Sequence, residues 1–180
     1  MTTEPYHKNC LFIDRFFSTV YQRTEQLCSF DTTLLRRAPT KNNQQTLVLS
    51  RHDDEYWVHS RYDPTKEAHA KVHALESAHA HAVIVYGIGL GYHLVELAKT
   101  VTSDMPVVVI EPSFKIFDAF LRLMTPENVQ TFQRYYFLVG EREETLIHRI
   151  RKIIYGERIQ TYVPLILDAE MRYFESYFST

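Results

Sequence analysis

The sequence predicts a Rossmann-like α/β fold: a mostly parallel sheet with helices on both faces, preceded by an N-terminal helix and a small β-hairpin. Three observations carry this reading. From residue 82 onward, unbroken β-branched or aromatic runs alternate with amphipathic helical stretches, the pattern of a parallel sheet buried on both faces. Gly87, Gly89 and Gly91, three of only five glycines in the chain, fall in one short turn after the first of these runs. Glu111 ends the second run, at the strand end where Rossmann sites place a ribose-binding acid.

Taken in order, residues 9–27 set Leu11, Phe12, Phe16, Phe17, Val20 and Tyr21 at helical spacing. Residues 36–45 are polar, contain Pro39 and predict a loop. Thr46–Ser50 and Tyr56–Ser60 read as the two strands of a hairpin, so residues 1–62 form an extension and 63–180 the Rossmann-like domain. Asp63 suits a helix N-cap and Pro64 the first helical position, predicting an Ala- and His-rich helix to about Ser77. Ala82–Tyr86 is a strand, and after the glycines Leu90, Leu94, Leu97, Ala98 and Val101 line one helix face. Pro106–Ile110 is the second strand, followed by a helix from Ser113 to about Met124. Tyr135–Val139 is the third strand and Arg142 to Tyr155 the next helix. A fourth strand falls within residues 159–167, and a last amphipathic helix starts at Asp168.

Composition narrows the function classes. A chain of 180 residues and 21.3 kDa buries roughly 70% of its unfolded surface, enough for one packed domain without disulfide or metal staples. Hydrophobic residues at 45% and aromatics at 13% exclude disorder. Twenty Lys plus Arg against 22 Asp plus Glu, a formal charge of −2, leave no electrostatic footprint for nucleic acid or an anionic membrane. Cys10 and Cys28 are too few for a disulfide framework. A polar N-terminus and the lack of an apolar run of ~18 residues predict a soluble, cytoplasmic chain.

The segment Val83 to His93 reads strand, tight turn, helix start. Gly87 would allow a sharp turn, Gly89 a close approach of backbone to ligand, and Gly91 close helix packing, with helix N-terminal amides turned towards a phosphate, carboxylate or ribose. The alternative is that the glycines only permit a tight turn and Glu111 is a solvated strand-end residue. The dinucleotide pattern G-x-G-x-x-G is not completed, because His93 stands where the last Gly or Ala belongs. An S-adenosylmethionine pattern is incomplete too, with Val85 where an acid is usual. No cofactor is therefore assigned. His93, in the first turn after the loop, either reaches a ligand or closes the pocket. His69 and His73 share a helix face at a spacing that can bind zinc, but H-E-x-x-H is absent and a solvated face is the stronger reading, so no metal is assigned. No G-x-S-x-G or comparable nucleophile motif is present, and no catalytic residue is assigned.

Three pieces in order, HSRYDPTKEA (residues 59–68), VIVYGIGLGYH (83–93) and VVVIEP (107–112), resemble the N-terminal region of the Maf (motility accessory factor) flagellin glycosyltransferases. The resemblance covers roughly residues 45–155. It implies a bacterial protein connected with flagellin modification by nonulosonic acids donated from CMP-activated sugars. The matching positions are Tyr62, Asp63 and Glu67, then Gly87, Gly89, Gly91, Tyr92 and His93, then Glu111 and Pro112. Of these, Tyr62, Asp63, the three glycines, Tyr92, His93 and Glu111 are the candidate ligand-binding set, with Asp63 equally a helix cap. The family's transferase domain lies downstream of the matched region, so these 180 residues are expected to be a scaffold or acceptor-recognition module without activity alone. Flagellin and a downstream glycosyltransferase domain are the implied partners. The rival is a small enzyme that binds a nucleotide-sugar or S-adenosylmethionine at the Gly87–Gly91 loop and Glu111. A third reading is a structural module that self-associates through its aromatic terminal helices.

Overall fold

Two hydrophobic patterns in one chain build two different sheets. The computed structural model describes residues 31–75, 79–132 and 134–179; the helix expected over residues 9–27 lies outside them. The first sheet is antiparallel, in the order β1 (Leu34–Pro39), β2 (Gln45–Arg51), β3 (Asp54–Trp57). The second is parallel. Its strands are β4 (Ala82–Tyr86), β5 (Val107–Glu111), β6 (Tyr135–Val139) and β7 (Tyr162–Ile166), arranged β6-β5-β4-β7. The helices are α1 (Pro64–His73), α2 (Tyr92–Thr100), α3 (Phe114–Leu123), α4 (Pro126–Gln130), α5 (Glu143–Gly156), α6 (Asp168–Tyr173) and α7 (Glu175–Phe178).

The loop expected over residues 36–45 is instead mostly strand. β1 pairs with β2 along its whole length, from Leu34 opposite Ser50 to Pro39 opposite Gln45. Pro39 is tolerated because it ends an edge strand, where no ladder N–H is needed. The turn is confined to the next few residues, with Thr40 N–H donating to Gln44 O (3.0 Å) and Asn43 at a left-handed φ of 63°. The second expected hairpin strand also moves, from 56–60 to 54–57, because a two-residue turn at His52 and Asp53 suffices. Helix α1 begins as expected, with Lys66 N–H donating to Asp63 Oδ1 (2.9 Å) and Pro64 at its start, but ends at His73.

In the parallel sheet, alternation sends successive residues to opposite faces. Val83, Val85, Val107, Val109, Phe137 and Leu165 face a large core built with Leu94 and Leu97 of α2 and Ile116, Phe117 and Phe120 of α3. Ile84, Val108, Ile110 and Leu138 face the other way, under Leu146, Ile150 and Ile153 of α5 and Tyr177 and Phe178 of α7. Leu47, Leu49 and Val58 from the antiparallel part join the large core, so one continuous apolar cluster runs through both sheets. No helix among the described residues is long and apolar enough to cross a membrane.

Candidate functional site: a glycine turn closed from within

Strand order decides where a ligand would sit. β4 runs on to β5 and β6 in one direction, whereas β7 returns to the other side of β4. The crevice between the carboxyl ends of β4 and β7 is therefore the topological switch point, the usual ligand position of open α/β sheets. The glycine turn lies at the end of β4 and α6 follows β7, so both border this crevice.

Three side chains of the chain itself stand against the turn. Glu170 of α6 packs on Gly87 so closely that a Cβ there would lie 2.6 Å from its Oε2. His59, just past β3, packs on Gly89, where a Cβ would lie 2.4 Å from Nε2. Phe120 of α3 backs Gly91, the N-cap of α2, at 2.6 Å by the same measure. Residues 87–91 are all buried.

The backbone amides of the turn are engaged as well. Gly87 N–H donates to Ile110 O (2.9 Å) and Gly91 N–H to Ile88 O (3.0 Å). Ile88 N–H donates to Glu111 Oε2 (3.0 Å), and Leu90 N–H to His59 Nε2 (2.8 Å). Gly89 N–H faces the Glu170 carboxyl. Glu170 lies against Glu111 and these amides without closing a full hydrogen bond to any of them.

The electrostatics follow from burial. Glu111 and Glu170 are both 0% exposed. Desolvation pushes Glu170 up to about 7. Desolvation and the neighbouring Glu170 hold Glu111 well above the ordinary carboxyl range. Glu111 also accepts from Ser113 N–H (2.8 Å), so it braces the turn against the start of α3. His59 and His93 are buried with ring centroids 5.6 Å apart, and desolvation holds both below the usual imidazole value, His93 at about 4. With Nε2 accepting, His59 carries its proton on Nδ1, which has no hydrogen-bond partner among the described residues, and neither nitrogen of His93 has one there.

The candidate ligand residues are thus gathered unevenly. The three glycines, His93 and Glu111 meet in the closed turn. Tyr92 instead clips the sheets together: its hydroxyl donates to Gln45 O (2.9 Å) and its ring meets His59 edge-on. Asp63 caps α1, and Tyr62 is exposed beneath the Lys41 ammonium. Glu67 accepts from Ser60 N–H (2.8 Å), while Ser60 Oγ accepts from Tyr62 N–H and Asp63 N–H. The motif around Tyr62 is therefore a self-bonded bend that carries His59 to the turn. Thr46 fixes that histidine's backbone, its hydroxyl accepting from His59 N–H (3.0 Å). Sequence reasoning missed Glu170 and the part played by His59. For His59 a signal existed, in its place at the head of the first motif segment; for Glu170 there was none, because nothing local reveals that β7 lies beside β4.

A doubly wound parallel sheet whose switch-point crevice is filled by its own side chains, under a docked antiparallel sheet, defines a Rossmann-like domain with a closed glycine turn. The chain belongs to the glycosyltransferase Maf N-terminal domain family, whose model matches residues 7–177. Its fold is similar to the solved structure of the Maf glycosyltransferase from Magnetospirillum magneticum AMB-1, with a TM-score of 0.55 at 12% identity, covering 98% of this chain and 35% of that one. The chain thus spans about a third of that protein's length. No curated protein sequence matches it.

Proposed function

We propose that these residues act as a scaffold or acceptor-recognition domain of a Maf-type flagellin glycosyltransferase, organising flagellin or the transferase domain and not transferring sugar themselves. One observation carries this reading: the amides and glycines that would cradle a nucleotide are engaged by Glu111, His59 and Glu170 of the same chain. A phosphate entering the turn would have to displace a buried imidazole and approach two buried carboxyls. The donor nucleotide-sugar is then bound by another part of the enzyme.

The test is thermal-shift binding with CMP, CMP-sugars, S-adenosylmethionine and NAD. A ligand at about 100 times its Kd adds roughly 2.7 kcal/mol, a midpoint shift of roughly 2–4 °C for a domain of this size. The expected result is no shift with any of the four. A shift with one of them, lost in Glu111→Ala, would overturn the scaffold reading in favour of a small nucleotide-binding enzyme.

A further inference from the structure

We propose that His69, His73 and Glu96 form a site for a divalent transition-metal ion of the zinc type that ties α1 to α2. His69 and His73, four apart on α1, turn to the same side, with ring centroids 4.0 Å apart. Glu96 projects from α2 between them. Its Oε1 lies 2.8 Å from His69 Nδ1 and 3.3 Å from His73 Nε2, and one donor atom from each residue falls within 4.8 Å of the others. A tetrahedral ion with bonds of about 2.1 Å sets its donors roughly 3.4 Å apart, so small rotations of two exposed rings complete the geometry.

The rest of the surroundings suits an ion. The carboxylate is fixed, because Glu96 is only 8% exposed and sits on a helix anchored by Leu94 and Leu97 in the core. Val72 anchors α1 in the same cluster, so the two helices present the donors from fixed positions. The imidazoles are reachable from solvent, with side-chain exposures of 61% for His69 and 50% for His73. Two imidazole nitrogens and one carboxylate oxygen select zinc, cobalt, nickel or copper over magnesium or calcium, which require oxygen donors. The set leaves a fourth position for water or for a donor from a partner. Lys99 Nζ contacts the other carboxylate oxygen at 2.9 Å, but its stem is 62% exposed and free to swing away.

The experiment is calorimetric titration of the 180-residue chain with zinc chloride, paired with the visible spectrum of the cobalt(II) form. The expected result is one equivalent bound below about 100 µM with a tetrahedral cobalt band. His73→Ala and Glu96→Gln should each weaken binding by at least about tenfold, since even groups behind the ligands are worth 10–100-fold. Alanine suits an exposed helix position, so the histidine variants fold. Lys99→Ala should bind as tightly as the parent or more so. No saturable binding below 100 µM, or binding unchanged in the His69→Ala/His73→Ala double variant, would overturn the site.

Discussion

Glu170 brings to the glycine turn the chemical group a ligand would bring, an acid set against backbone amides, but from within the chain. Its consequence is readable in pH. Glu170 and Glu111 have raised values in the folded state, so they favour folding fully below the ordinary carboxyl value and lose that contribution as pH rises, the loss being complete for Glu170 above about 7. His59 and His93 have lowered values, so their contribution is present above the ordinary imidazole value and is lost as pH falls, for His93 down to about 4. Between pH 4.5 and 6.5 the two effects oppose each other; above 6.5 only the acids act. The unfolding free energy from urea melts should therefore fall between about pH 6 and 7.5, by up to about 1.4 kcal/mol per pH unit for each proton released. Glu170→Gln, which cannot ionise, should flatten that fall; parallel curves for variant and parent would remove Glu170 from the explanation.

Gly89 makes the same point through sterics. It stands at φ +52° with His59 in the space a Cβ would take. Gly89→Ala adds about 1–2 kcal/mol of backbone strain and, by pushing the imidazole away, strands the Leu90 amide at a further 1–3 kcal/mol. A loss of about 3 kcal/mol by chemical denaturation is expected, shrinking when His59 is already Ala. A loss under 1 kcal/mol would mean that the imidazole is not held there. At this scale the sequence was half legible. The glycines and Glu111 announced a special turn, but glycine records only that something comes close, and the sequence did not show that Glu170 and His59 do.

At the scale of elements, legibility tracked how local the determining forces are. β4 and β6 match their sequence runs residue for residue, because β-branched and aromatic stretches bounded by turns carry their own signal. Asp63-Pro64 marked the start of α1 for the same reason. β1 did not read as a strand: Arg36, Arg37 and Pro39 give little β signal, and pairing to β2 imposes the conformation from outside. The docking of the antiparallel sheet was equally hidden, since it depends on Tyr92 reaching Gln45 from another element. Tyr92→Phe should leave the fold intact but cost about 0.5–1.5 kcal/mol and raise amide exchange in β2 by roughly three- to tenfold. Exchange unchanged in β2 would show that packing alone seats the sheet.

For the whole molecule, fold and family were legible in the order of strand, glycine turn and acid-ended strand, and the match over residues 7–177 agrees with them. The crevice was not, because its closure depends on tertiary topology. The order β6-β5-β4-β7 places the strand that carries the glycine turn inside the sheet, with one flank completed only by residues 162–166. As the chain leaves the ribosome, β4, β5 and β6 can pair while that flank of β4 is still bare. The amides of Gly87, Ile88 and Leu90 can already find Ile110, Glu111 and His59 at that stage, because all three partners precede β7. Glu170 reaches Gly87 only once β7 has paired and α6 has formed behind it. That contact joins residues far apart in sequence, a kind of pairing that is slow to form. A chain truncated before Asp168 would lose the Glu170 wall over Gly87 and keep the contacts that Glu111 and His59 make with the turn.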